Sequence, residues 1–191
     1  MKNVIFLIAA ASKHEYLHKK HGGFKYFKYS IPSWEYWCKK NNVELVIYDT
    51  PSDDEHIQHK PTWQRWFDVF NQLDKTTIKY NKIALIDACT IIRWDTPNFF
   101  DFVDNGEVNL FRSLENIRWV NEGVSGYSDF FKKYYPNFNF DLKEYSSCGW
   151  QIFDKNHKLF LEKVKDFYYD NYDDIMVLQN DKVGRGTDQP V

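Results

Sequence analysis

The chain has 191 residues, of which 43% are hydrophobic and 27% are charged, so it is long and apolar enough to form one globular domain with a buried core. A net charge of −2 excludes the strongly basic balance of many nucleic-acid-binding proteins, and no nucleic-acid partner is expected. The three cysteines, Cys38, Cys89 and Cys148, are widely spaced and do not form a disulfide pattern, so we expect a reducing, cytoplasmic compartment.

An apolar run over residues 4–10 predicts a first strand that is buried on both faces. The same run is similar to the apolar part of a signal peptide, but it is too short to span a membrane, and no transmembrane segment is expected. Residues 12–30 then predict a long polar loop that contains a basic cluster from Lys13 to Lys28. We interpret this cluster as a solvated loop, with contact to a phosphate or an anionic acceptor as the alternative.

Helices and strands alternate along the rest of the chain. Capping residues and apolar spacing predict helices over residues 30–40, 61–73, 98–103, 124–135 and 156–169. Apolar runs predict further strands over residues 43–48, 83–87, 108–112 and 145–153. This alternation is typical of an α/β fold with a mostly parallel sheet flanked by helices on both faces.

Ligands of such a sheet bind at the carboxyl ends of its strands. This rule selects residues 10–12, Asp49, residues 87–89 and residues 146–149 as candidate site positions. The most informative of these is Asp87, a single carboxylate directly after an apolar strand, with Cys89 two residues further on.

Five segments in this order resemble a GT-A glycosyltransferase domain of the glycogenin-like and viral or phage-encoded kind: residues 4–11, 62–65, 83–90, 146–153 and 187–189. They resemble, in turn, the first nucleotide-binding strand, a helix with a basic residue near the nucleotide, the Leu-Asp-Ala-Asp strand end, the Asn-Ser-Gly-Val strand and the Asp-Gln motif. The resemblance implies one GT-A-like domain over residues 1–191 that transfers a sugar from a nucleotide-diphosphate donor to a glycan or protein acceptor.

Three departures from the family pattern bear on activity. Cys89 stands in place of the second metal-binding Asp, and Ser147 and Cys148 stand where the family often has Asn and Ser. The chain also ends two residues after Gln189, where the family normally continues with a further helix, so we expect a fragment, a chain truncated at its C-terminus or a split domain. Because a thiol is a poor ligand for hard cations, we expect Mn²⁺ or Mg²⁺ to bind weakly or not at all at Asp87.

The strand-end rule and the resemblance together assign the donor nucleotide to this set of residues: Ala10, Ser12, Asp49, Arg65, Asp87, Cys89, Gly149 and Gln189. Arg65 is expected to present its planar fork to the diphosphate, with a surface helix charge as the alternative. Asp87 is expected to hold a ribose hydroxyl or a weakly bound metal, with a strand-terminating turn residue as the alternative.

Asp188 is the candidate catalytic residue, because inverting transfer needs a carboxylate that accepts the proton of the acceptor hydroxyl. The alternative for Asp188 is a helix N-cap. Two functions therefore stay open at the level of the sequence. One is a nucleotide-sugar glycosyltransferase, and the other is a catalytically impaired module that binds a nucleotide or a glycan on the same scaffold.

Overall fold

A computed structural model describes residues 1–10, 27–50, 52–56, 61–112, 117–139 and 146–179. The strands are β1 (Lys2–Ile8), β2 (Glu44–Tyr48), β3 (Tyr80–Asp87), β4 (Asn109–Arg112) and β5 (Ser146–Asp154). The helices are α1 (Phe27–Asn41), α2 (Pro61–Asp74), α3 (Ile117–Tyr134), α4 (Lys158–Asp170) and α5 (Tyr172–Val177), with short 3-10 helices at Phe99–Phe102 and Lys155–His157.

In the described part of the chain the strands form one sheet in the order β2-β1-β3-β5-β4. Strands β2, β1 and β3 are parallel, whereas β5 is antiparallel to both β3 and β4, so β4 points in the same direction as the parallel strands. The predicted α/β fold with a mostly parallel sheet is confirmed, with β5 as the single reversed strand. Because β5 is reversed, its first residues lie at the same edge as the carboxyl end of β3.

Alternation along the central strands divides the apolar core between the two faces of the sheet. On one face α1 packs against a cluster that includes Ile5, Leu7, Ala84 and Ile86. On the other face α2 and α4 pack against a cluster that includes Val4, Phe6, Ile83 and Leu85. The central strands β1 and β3 are buried on both faces, as their unbroken apolar runs predict, whereas Ile47 of β2 and Leu110 of β4 are exposed.

A third cluster, mostly aromatic, joins the helices α2, α3, α4 and α5 beyond the sheet. Its buried members are Trp63, Phe67, Tyr127, Phe130, Phe131, Tyr168, Ile175 and Leu178. Much of the high aromatic content of the chain therefore serves packing between helices. None of the helices among the described residues is long and apolar enough to cross a membrane.

The first helix differs from its prediction. It begins at Phe27 instead of Ser30, so Pro32 lies inside the helix. Inside a helix, proline lacks the amide that would bond to the carbonyl four residues earlier, here that of Lys28, and its ring crowds that carbonyl. The apolar face of α1, with Trp34 and Trp37 buried, holds the helix on the sheet despite the proline.

Candidate functional site

Helix α2 and strand β3 bring Arg65 and Asp87 together through their regular periods. Arg65, Val69 and Leu73 are four residues apart and lie on the face of α2 that meets the sheet, where Val69 and Leu73 are completely buried. On β3, Ile83 and Leu85 point towards α2, and Asp87 is next on the same face at the end of the strand. The first turn of α2 therefore lies beside the carboxyl end of β3.

Arg65 and Asp87 form an ion pair at this position. Nη1 of Arg65 donates a hydrogen bond to Oδ1 of Asp87, and Nε donates to the carbonyl oxygen of Thr62 at 3.0 Å. The Arg65 side chain is 4% exposed, whereas that of Asp87 is 33% exposed. The guanidinium is thus a buried, permanently charged group, and the carboxylate that it neutralises still reaches the surface.

Gly149 lies directly against the second oxygen of this carboxylate. A Cβ atom added at Gly149 would be 3.2 Å from Oδ2 of Asp87 and 3.4 Å from Oγ of Ser147. The Gly149 amide donates to the Ser147 hydroxyl at 3.2 Å, which fixes the backbone at the start of β5. A side chain at this position would require the Asp87 carboxylate to shift by a few tenths of an ångström. We call Arg65, Asp87, Cys89 and Gly149 the Asp87 cluster.

Cys89 is exposed in the turn that follows β3. The amide and hydroxyl of Thr90 both donate to the Asp87 carbonyl, at 3.1 and 2.7 Å, and hold this turn in place. Loss of water around the sulfur, and then the negative charge of Asp87, raise the pKa of the Cys89 thiol, while Arg65 opposes this change. The thiol is therefore protonated at neutral pH.

The Asp87 cluster offers a divalent cation one carboxylate and one thiol. One oxygen of Asp87 is bonded to a guanidinium, and the neighbouring side chain is a protonated thiol where the family pattern has a carboxylate. Mn²⁺ and Mg²⁺ prefer several oxygen ligands. Within the described residues, no group of three or more His, Cys, Asp or Glu side chains could hold a metal ion.

The sheet register places further predicted residues at the same edge. Ile8 of β1 is aligned with Tyr48 of β2 and with Asp87 of β3. Ala10 and Asp49 follow directly after these strand ends, and Asp49 is exposed, with its carboxylate accepting a hydrogen bond from the Thr50 hydroxyl at 3.2 Å.

Three other predicted site residues, Ser12, Asp188 and Gln189, lie outside the described residues, so their roles stay predictions.

Sequence reasoning did not single out Gln64, which links β2 to the first turn of α2. Its side chain is fully buried, and Nε2 donates to the Thr50 carbonyl at 2.7 Å and to the Tyr48 hydroxyl. The Tyr48 hydroxyl in turn donates to Asp68 at 2.8 Å, and burial raises the pKa of this phenol so that it stays neutral. The polar residues at positions 64, 65 and 68, within a helix that is otherwise rich in aromatic residues, could have indicated this buried network.

No protein-family model matches the chain, and no curated protein matches its sequence. Its structure is similar to the crystal structure of a glycosyltransferase involved in the glycosylation of the major capsid of PBCV-1, with a TM-score of 0.54 and 10% sequence identity. The match covers 88% of this chain and 66% of that protein. At this identity the likeness concerns the fold alone: the chain has a glycosyltransferase-like fold.

Proposed function

We propose that the chain is a glycosyltransferase-like protein that binds a nucleotide-diphosphate sugar at the carboxyl edge of its sheet and transfers the sugar to a glycan or protein acceptor. The observation that carries this proposal is the Asp87 cluster, which lies at the strand ends of a glycosyltransferase-like fold, where α/β sheets bind their ligands.

The geometry of Asp87 supports recognition of a hydroxyl group. Arg65 engages Oδ1 and neutralises the carboxylate, while Oδ2 faces the bare backbone of Gly149 near the surface. A carboxylate oxygen accepts a hydrogen bond from a ribose or sugar hydroxyl without help from a metal. The role of Arg65 towards the diphosphate then includes cancelling the charge of Asp87, which would otherwise repel the phosphates.

A second candidate function is a binding module that retains the nucleotide or glycan site but transfers no sugar. The pairing of Asp87 with Arg65 and the thiol at Cys89 favour it. A departing nucleoside diphosphate needs its developing charge stabilised, which a divalent cation does as a Lewis acid. A site whose donor set does not fit such a cation must use other cationic groups for this step or omit it.

Calorimetric titration with a panel of nucleoside diphosphates and nucleotide-sugars, each with and without Mn²⁺, tests both functions. We expect at least one nucleoside diphosphate to bind without Mn²⁺ and to bind more weakly to Asp87→Ala. The matched control is Asp95→Ala, because Asp95 is a carboxylate in the loop after β3 that pairs with Arg93 instead of facing the cluster. Absence of binding by every nucleotide, or equal losses in both variants, would contradict the proposal.

Turnover of the nucleotide-sugar that binds separates the enzyme from the binding module. A transferase releases free nucleoside diphosphate, and Asp188→Asn should slow this release if Asp188 serves as the base. A binding module binds the same donor without turnover.

A further inference from the structure

Helix α1 carries an exposed aromatic stripe beside its buried face. Tyr29, Ser33, Tyr36 and Lys40 are spaced by four, three and four residues, so at about 100° per residue they lie on one side of the helix. Tyr29 and Tyr36 are both exposed, whereas Trp34, Trp37 and Cys38 on the adjoining face are buried in the core. The stripe is therefore not part of the core packing of the described residues.

The loop that follows β3 runs along the same side of α1 and is fixed to it. Four hydrogen bonds join the helix to this loop: Trp34 Nε1 to Thr90 Oγ1 at 3.2 Å, Ile92 N to Ser33 Oγ at 3.3 Å, Lys40 Nζ to the Trp94 carbonyl at 2.9 Å and Trp37 Nε1 to the Thr96 carbonyl at 2.9 Å. Despite these anchors, the side chains of Ile91 and Trp94 are 68% and 69% exposed. We call Tyr29, Tyr36, Ile91 and Trp94 the apolar patch.

Lysines border this patch, and two carboxylates, Glu35 and Asp95, lie next to it in the chain. Lys28 Nζ lies 4.7 Å from the ring centre of Tyr29, and Lys40 Nζ lies 5.8 Å from that of Trp94. Lys39 is exposed in the last turn of the same helix. In the sequence that leads into α1, residues 13–28 contain five lysines and one glutamate, a net charge of +4 in a chain whose net charge is −2.

We propose that the apolar patch docks on a membrane surface that contains anionic lipids. Trp and Tyr favour the boundary between headgroups and acyl chains, because one end of each ring system is apolar and the other forms hydrogen bonds. Lysines beside such a surface are attracted to anionic headgroups. A rigid patch of large exposed apolar side chains bordered by lysines combines both requirements.

Single-stranded nucleic acid also binds aromatic and basic surfaces, but the patch fits it less well. Bases stack on aromatic faces inside positively charged grooves. Here the surface is the convex side of a helix with its adjoining loop, and one of its most exposed members is Ile91, which has no aromatic face. An aliphatic side chain gains from insertion among acyl chains, so the composition favours a lipid surface.

Flotation of the full chain with phosphatidylcholine vesicles, with and without phosphatidylserine, tests the proposal. We expect binding to the anionic vesicles only, and a large decrease between about 0.1 M and about 0.5 M salt. Trp94→Glu should weaken binding by roughly ten-fold or more, because it removes a large inserted side chain and adds a negative charge. Lys39→Ala should weaken it by about five-fold.

Two matched controls lie on α4, on the opposite face of the sheet. Phe160→Glu replaces a similarly exposed aromatic residue, and Lys163→Ala removes a similarly exposed lysine, so both should bind vesicles like the unmodified chain. Thermal unfolding of Trp94→Glu should match that of Phe160→Glu, which shows that both are folded. Equal losses in patch and control variants, absence of binding to anionic vesicles, or tight binding of a single-stranded oligonucleotide in place of vesicles would overturn the proposal.

Discussion

The two ends of strand β3 each hold a charged side chain, and the two are satisfied in different ways. At the amino end Lys82 is buried and donates to the carbonyl oxygens of Phe100, at 3.3 Å, and Val103. At the carboxyl end Asp87 pairs with the side chain of Arg65 and remains one-third exposed. The first charge is bound by backbone groups inside the protein, whereas the second is bound by another charge and still faces solvent.

Asp154 is aligned with Lys82 in the pairing of β3 and β5, so it lies at the amino end of β3. Like Lys82, it is bound by backbone groups. Its two oxygens accept hydrogen bonds from the amides of Asn156 and Gly106, both at 2.8 Å. These bonds cap a 3-10 helix and fix a turn, so the amino end uses its charges to hold backbone in place. At the carboxyl end, by contrast, the Asp87 carboxylate lies against the backbone of Gly149 and stays partly exposed.

The largest predicted effect is at the amino end. Asp154→Ala should lower the free energy of unfolding by about 3 kcal/mol, because two backbone amides lose the buried, charged carboxylate that accepts their hydrogen bonds. Urea unfolding measures the loss, and nucleotide binding by the folded fraction should not change. If Asp154→Ala kept its stability but lost nucleotide binding, the amino end and not the carboxyl end of β3 would serve the ligand.

The same variant predicts a pH dependence. Burial alone would raise the pKa of Asp154, but the amides of Asn156 and Gly106, together with the neighbouring His157, outweigh burial and lower it. A depressed pKa adds stability above the unfolded value of about 3.9, and this stability is lost as pH falls through the lower folded value. The difference in unfolding free energy between the unmodified chain and Asp154→Ala should therefore be full at pH 7 and shrink below about pH 4.

At the carboxyl end, Arg65→Ala should weaken nucleoside-diphosphate binding by roughly 1.5–3 kcal/mol, because Asp87 loses its counter-charge and the Asp87 cluster loses its cation. Binding of the bare nucleoside, measured by the same calorimetry, should change little. Arg93→Ala is the control, because Arg93 is exposed and pairs with Asp95.

A second change separates the two possible roles of Arg65. If repulsion by an unpaired Asp87 causes the loss, Asp87→Asn added to Arg65→Ala should restore much of the binding. If Arg65 contacts the phosphates directly, the double variant stays weak. Equal losses for nucleoside and diphosphate would show that Arg65 acts only through folding, and its assignment to the nucleotide site would fall.

Two glycines sharpen the comparison further. Gly149→Ala should cost about 1–2 kcal/mol of stability and also weaken ligand binding, because the new methyl group crowds the Asp87 carboxylate. Gly106→Ala should cost about 1–2 kcal/mol of stability, because Gly106 has a φ of +81°, which residues with a side chain rarely adopt. It should not affect ligand binding, because the new methyl group would meet only open space. Thermal unfolding and calorimetry on both variants test this, and equal ligand affinities would argue against a site at Gly149.

The smallest effect is expected for Cys89→Asp. A second carboxylate two residues after Asp87 supplies an oxygen ligand for a hard cation, so Mn²⁺ should strengthen nucleotide binding in this variant and have little influence on the unmodified chain. Cys89→Asn is the control, because asparagine has the same size as aspartate but no charge. Tight, Mn²⁺-dependent binding by the unmodified chain would contradict the expectation.

The sequence was sufficient for the strands and for the position of Asp87, because buried strands are unbroken apolar runs and Asp87 ends one of them. The sequence did not indicate that β5 is reversed, since an apolar run contains no information about its neighbours in the sheet or about its direction relative to them. The ion pair was missed for a related reason. Apolar spacing predicts the helix α2 but not which of its sides meets the sheet, so it does not show that Arg65, Val69 and Leu73 lie on that side.

The reversed strand also affects the order in which the chain can assemble. Arg65 and Asp87 are 22 positions apart and belong to consecutive elements, so their pairing closes a short loop. Gly149 follows Asp87 by 62 positions and reaches it only when β5 aligns with β3. Contacts between distant parts of a chain form slowly, so closure of the Asp87 cluster should be among the late events of folding and should signal that the sheet is complete.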